Sequence, residues 1–122
     1  MAAHNDLGKL GEKFAKEHLV KNGYEIVETT YRYGRAEIDI IAKLGRMLVF
    51  IEVKTRSTTA FGFPEDAVNR KKRQLLFDAA ANYMYENNYD DEIRFDIISL
   101  IIDKNDKISD LKHFEEIGRA HV

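Results

Sequence analysis

The stretch from Arg35 to Arg56 limits this chain more than any other. It reads as two apolar strands joined by a tight turn at Leu44-Gly45, and each strand carries charge where a buried strand has none. Asp39 sits between Ile38 and Ile40, and Glu52 and Lys54 bracket Val53 after the apolar run Met47 to Ile51. Side chains alternate faces along a strand, so Glu37 and Asp39 share one face, and Glu52, Lys54 and Arg56 share one. A hairpin loop with an even number of residues puts Asp39 opposite Phe50 or Glu52, on the side of Glu52 and Lys54. An odd loop with a bulge breaks that register. Two carboxylates and an ammonium at one end of an apolar sheet are costly unless they pair with each other or hold a metal.

The rest of the chain allows such a sheet a proper core. At 122 residues it is one domain of ordinary size, expected over residues 1–116. Cysteine is absent, which excludes disulfides and thiolate metal sites and fits a reducing cytoplasm. Met1 to Asp6 shows no basic region leading into an apolar stretch, so no signal peptide is read. No apolar run approaches the ~20 residues that span a bilayer, so no membrane contact is expected. The net charge of −2 excludes a strongly basic nucleic-acid coat, yet Arg70 to Arg73 is a run of four cations and Glu86 to Glu92 is acidic. Any contact with a polyanion has to be local.

In order, Asn5 or Asp6 can cap a first helix running to about Lys21. Leu7, Leu10, Phe14 and His18 or Leu19 form its apolar face, and Asn22-Gly23 closes it. Gly8 and Gly11 inside that helix cost roughly 1 kcal/mol each against alanine. Either they pack closely on the sheet, or they bring the backbone near a site at which Glu12 is aimed. Tyr24 to Thr30 reads as the first strand, with a turn from Tyr31 to Arg35 around Gly34, and the hairpin follows. Ser57 to Pro64 is a loop, either a connector or a substrate contact. Pro64, Glu65 and Asp66 suit the start of a second helix running to about Glu86. Lys72 falls in that helix's apolar face, four residues after Val68. It either snorkels to water or points into the acidic site. Arg94 to Ile102 is a strand buried on both faces, with an unusual Asp96 near its start, and Ile108 to Phe114 reads as an edge strand. Residues 117–122 continue no pattern and resemble a translated sequencing-library adapter. They are read as a non-native tail, with an ordinary frayed terminus as the other reading. The order predicts an α/β fold of αβββαβ type, one mixed sheet flanked by two helices.

Oxygen ligands without cysteine suit Mg²⁺ or Mn²⁺, not zinc. The histidines, His4, His18, His113 and His121, have no ligand spacing and read as surface or core residues. A metal held by Asp39 and Glu52, with Lys54 two residues away, fits phosphodiester hydrolysis. The ordered set Asp39…Glu52-Val53-Lys54 resembles the core of the PD-(D/E)xK nucleases. With Gly8, Gly11, Glu12, Glu37, Thr55, Arg56, Phe61-Gly62, Pro64, Ala67, Val68, Lys72 and Arg94-Phe95-Asp96, it resembles the YraN-like family of predicted endonucleases, related in fold to Holliday-junction resolvases. Ala36 stands where that family usually has Gly. The resemblance implies a restriction-endonuclease-like fold and a metal-dependent endonuclease acting on branched or damaged DNA. The other reading kept is a non-catalytic nucleic-acid-binding module of the same fold. The resemblance implies that Asp39 and Glu52 are metal ligands, with the Val53 carbonyl as a third. Lys54 is then the catalytic lysine, and Glu12 reaches the metal from the first helix. Arg56, Arg70, Lys72 and Arg73 would contact phosphate and Glu37 would support the site. Mg²⁺ or Mn²⁺ is the implied cofactor and DNA the implied partner. A symmetric dimer would suit a cut on two strands.

Overall fold

The computed structural model describes residues 4–57 and 70–120, with side chains described over 6–57 and 71–115. The expected loop from Ser57 to Pro64, the start of the second helix at Pro64, Ala67 and Val68, and the side chain of Arg70 lie outside the described residues. Seven elements follow in the order α1 (His4–Lys21), β1 (Glu25–Tyr33), β2 (Ala36–Leu44), β3 (Met47–Arg56), α2 (Arg70–Glu86), β4 (Ile93–Ile102) and β5 (Ile108–Ala120). The strands form one sheet in chain order. Three neighbouring pairs are antiparallel, and only β3 and β4, which α2 connects, run parallel. This is the αβββαβ order of a restriction-endonuclease-like core with β5 added at its edge.

Helix α1 is already running at His4, so Asn5 and Asp6 lie inside it; Asp6 favours the positive end of the helix from the first turn. It stops where Gly23 turns to φ +90°. The Tyr24 and Gly23 amides then return to the carbonyls of Leu19 and Val20, which satisfies the last turn. Helix α2 ends the same way with Asn88 at φ +51°. The turns of the β1–β2 and β2–β3 hairpins are two residues long and begin with a left-handed glycine, Gly34 at φ +60° and Gly45 at φ +63°. The first turn is tighter than expected. Tyr31 to Tyr33 remain in β1, paired with Ile38, Glu37 and Ala36, because Tyr31 has a core to pack against. The second turn falls at Gly45-Arg46, after the pair Leu44 and Met47.

Each sheet face carries its own apolar layer. Under α2 lie Ile38, Ile41, Leu48, Phe50 and Phe95 against Leu76, Ala79, Ala80 and Tyr83. Under α1 lie Ile40, Val49, Ile51, Ile98 and Leu100 against Ala15 and Leu19. Strand β4 is buried on both faces, as its near-continuous apolar run predicts. Burying each of these isoleucines contributes roughly 1.5–3 kcal/mol, so the central strands form a stiff platform. β5 runs beyond Phe114 to Ala120, pairing residues 118–120 with Phe95, Arg94 and Ile93. Among the described residues no helix is long and apolar enough to cross a membrane.

Candidate functional site

Strands β2 and β3 part at the level of Asp39. Their ladder runs from Leu44 and Met47 to Ile40 and Ile51 and ends there. One residue further, Asp39 turns its carboxylate into the gap, and Oδ2 accepts the Val53 N–H at 2.8 Å. A side chain thus takes the place of a main-chain ladder bond.

The bend is recorded on both strands. Ile38 and Ile41 both pack under α2, although strict alternation would set them on opposite faces. Thr30 of β1 falls opposite Asp39, between the pairs Thr29–Ile40 and Tyr31–Ile38, and has φ +53°. A β-branched residue in that region is strained by about 1–2 kcal/mol. Strain of this kind gathers where a backbone must re-aim a side chain.

β3 keeps its alternation. Leu48 and Phe50 face α2, Val49 and Ile51 face α1, and Thr55 meets Gly11 of α1. Glu52 and Lys54 therefore lean towards α2. Glu52 Oε1 lies 2.6 Å from Lys72 Nζ and 3.3 Å from Lys54 Nζ. The even hairpin loop gives the expected register, but the opened ladder changes its consequence. Asp39 does not stand squarely on the Glu52 side. It sits in the gap and borders a cleft of about 230 Å³ on the α1 side, with Leu7, Gly8, Glu12, Val53, Lys54 and Thr55.

The two open questions about side-chain purpose are answered by packing. Lys72 does not snorkel to water; it binds Glu52. The two glycines differ. A Cβ on Gly11 would collide with Thr55, so that position is a packing contact. A Cβ on Gly8 would meet nothing within 4 Å, and Gly8 lines the cleft. Glu12 is half-buried at the cleft wall.

The other candidates lie further out. Glu37 is exposed and paired with Arg32 at 2.9 Å, reaching the site only through its charge. Arg56 is half-buried, with its Nε buried and unbonded among the described residues. Arg73 is exposed on α2.

The electrostatics are unsettled in a consistent direction. Burial pushes the Asp39 carboxyl up to about 7; the Val53 N–H opposes this, and the charges of Glu12, Glu52 and Glu37 add to it. Glu12 is raised by burial and then by Glu37, against Lys16. Lys54 is lowered by burial and by Lys72, against the pull of Glu52. For Lys72, burial alone would lower the ammonium, but the bond to Glu52 outweighs it and the group is raised. Glu52 Oε2 is buried and has no hydrogen-bond partner among the described residues.

These residues fit a hard divalent cation. A buried, unbonded carboxylate oxygen and a neighbouring carboxyl held near neutrality are two features that a cation reverses. Among the described residues no three acidic or histidine side chains by themselves gather into a metal-binding group. The ligand set would be completed by main-chain oxygen and water, which is how Mg²⁺ is commonly held.

A second polar cluster lies under the C-terminal half of α1, and the histidine spacing gave no sign of it. Asp96, with a fully buried side chain, accepts from Arg94 Nε at 2.8 Å and Nη2 at 2.7 Å and bonds His113 Nε2 at 2.8 Å. Arg94 Nη2 also donates to the Tyr24 hydroxyl at 2.6 Å. His113 Nδ1 lies 3.1 Å from His18 Nε2 on α1. These partners are up to 95 residues apart in sequence, so only the folded topology joins them.

The profile of the family described as "Uncharacterised protein family UPF0102" matches residues 11–100. A UPF0102 protein of Christiangramia forsetii is 49% identical over 116 residues, covering 95% of this chain and 96% of the relative. One from Flavobacterium psychrophilum is 50% identical over 116 residues, with the same coverage of 95% and 96%. One from Alkaliphilus metalliredigens is 45% identical over 105 residues, covering 84% of this chain and 90% of the relative.

Proposed function

The chain belongs to the UPF0102 family, the YraN-like family that its motifs resemble, and from that premise we propose that it is a metal-dependent endonuclease. It hydrolyses phosphodiester bonds in DNA, with branched or damaged DNA as the substrate class, in the cytoplasm. One observation carries the proposal: the state of Glu52. Two ammonium groups hold one of its oxygens, and the other is buried with no hydrogen-bond partner among the described residues.

In this reading Asp39, Glu52 and the Val53 carbonyl hold Mg²⁺ or Mn²⁺, and Glu12 reaches it through water. Such an ion lowers the pKa of water and offsets negative charge building at phosphorus. The chain's own residues do the rest. Lys54 orients the attacking water or donates to a phosphate oxygen as charge develops. Lys72 holds Glu52 in one rotamer through its 2.6 Å ion pair. Gly8, with no side chain, leaves room for a strand backbone to approach the cleft. Arg56 and Arg73 contact flanking phosphates, which gives affinity without reading sequence. A second copy of the chain would serve a cut on both strands of a junction.

The test is a cleavage panel of labelled linear, flapped and four-way DNA with Mg²⁺ or Mn²⁺. Cleavage should require the metal and fall by at least ~100-fold in both Glu52→Ala and Lys54→Ala. Cleavage that survives both substitutions would sink the proposal. The binding-module reading has one observation in its favour: Lys54 and Lys72 already neutralise Glu52. It predicts salt-sensitive DNA binding that needs no metal and no cleavage of any substrate.

A further inference from the structure

The polar cluster under the C-terminal half of α1 has a direction. His113 Nε2 bonds the Asp96 carboxylate, so that nitrogen carries a proton. Asn22 Nδ2 approaches His18 Nδ1 at 3.4 Å, and an amide nitrogen can only donate. His18 Nδ1 is then bare and its proton sits on Nε2, which donates to His113 Nδ1 across 3.1 Å. A single chain of donors therefore runs Asn22, His18, His113, Asp96. The rings meet edge to face with centroids 5.2 Å apart.

An imidazole–imidazole bond requires one bare nitrogen between the two rings. One added proton can be accommodated, because His113 becomes the donor to His18 and its charge faces Asp96. A second proton cannot. Both facing nitrogens then carry hydrogen and both rings are cationic. The groups facing the pair are Lys21 on α1, Tyr24 on β1, Arg94 and Asp96 on β4, and Glu115 on β5. Asp96 is already shared with Arg94, and Glu115 lies 3.4 Å from Arg94 Nη1, so among the described residues both facing carboxylates already have a cation beside them.

We infer that His18 and His113 form an acid-released clamp that positions α1 over the sheet, and with it the Glu12 and Gly8 wall of the cleft. The pair ties α1 to the far strand, β5. Glu12 lies six residues before His18 on the same helix, roughly 9 Å along its axis. Loosening at His18 is therefore transmitted along a rigid element to the cleft. Burial lowers the His18 imidazole, with His113 and Lys21 lowering it further, so the His18 ring is neutral at neutral pH and accepts from Asn22 while donating to His113. His18 and His113 are positioning residues; neither borders the cleft. The consequence for Glu12 rests on the endonuclease reading, but the clamp itself does not, and its test uses no DNA and no metal.

The experiment is hydrogen exchange of the whole chain by mass spectrometry between pH 7.5 and pH 5.0, corrected for the intrinsic exchange rate. The α1 amides should exchange about tenfold faster at pH 5.0 in the wild type. His18→Phe, which keeps the ring contact but cannot titrate, should show no such rise. A wild-type α1 indifferent to pH, or a rise of equal size in His18→Phe, would overturn the clamp. Imidazole NMR titration of the wild type provides a check that does not depend on the variant folding. The His18 ring should titrate below the ordinary histidine range, and the His113 signals should move with it; an ordinary His18 titration that leaves the His113 signals unmoved would overturn it. DNA cleavage unchanged by either result would leave the proposed activity standing.

Discussion

Two polar clusters lie beside the same helix, and they differ in how well their groups are satisfied. At the C-terminal half of α1, Asp96 has Arg94 and His113, Arg94 also has Tyr24, and His113 has His18. At the N-terminal half, Asp39 has one amide and three carboxylates near it, and Glu52 has a buried oxygen with no hydrogen-bond partner among the described residues. Both clusters cost desolvation. Only the first recovers that cost within the protein, as buried charges in a stable fold normally do. The second is left incomplete, with strain stored beside it at Thr30. The difference separates charge kept to hold the fold from charge kept for something outside it.

The largest effect should come from breaking the satisfied cluster. Asp96→Ala leaves Arg94 buried without its main partner, and urea unfolding should show a loss of about 3–5 kcal/mol. Glu52→Gln should cost less in the same assay: it breaks the ion pairs of Oε1, but Lys54 and Lys72 are both partly exposed and can turn to water, and Oε2 has no partner to lose among the described residues. Equal losses at the two positions would erase the comparison.

Next in size is Asp39, where the sign runs against the usual carboxylate. Its folded pKa, about 7, lies above the ordinary aspartate value. The folded state therefore holds the proton longer. Its stabilising contribution is complete below the unfolded pKa and is lost as pH rises through the folded one. Metal-free wild type should lose on the order of 3 kcal/mol from this group between about pH 4 and pH 8. Asp39→Asn should remove that loss, so that the variant is the more stable protein above pH 7. A stability profile unchanged by Asp39→Asn would mean the carboxyl is already satisfied. His18 has the opposite sign. Its pKa is lowered, so its contribution is present above the ordinary histidine value and lost as pH falls through the folded one.

The smallest effects concern the two glycines of α1. Gly11→Ala should destabilise by about 1–3 kcal/mol through its collision with Thr55, and Thr55→Ala should rescue much of that. Gly8→Ala should stabilise the helix by roughly 1 kcal/mol while narrowing the cleft. Thermal melts of the three variants check both signs.

Much of this was readable before folding. The apolar runs fixed the three central strands, and the Glu52-Val53-Lys54 spacing placed two charges on one face. Lys72 in an apolar helix face was visibly out of place. What could not be read were effects set by distant partners. Asp39 leaves its expected face because Thr30, on a neighbouring strand, bends with it. Gly8 and Gly11 look alike in sequence and differ only because Thr55 lies under one of them. His18 and His113 show no local spacing, and the chain topology alone brings them together. Strand β5 runs past Phe114 because residues 118–120 find partners on β4 that periodicity does not reveal.

The central claim is that the incomplete cluster is completed by a divalent cation. Calorimetric titration of Mn²⁺ into the metal-free protein at pH 7.5 tests it most directly. The account predicts saturable binding, with proton release from Asp39, that is lost in Asp39→Asn and Glu52→Gln and kept in His18→Phe. No binding to the wild type, or binding that survives both cleft substitutions, would contradict it.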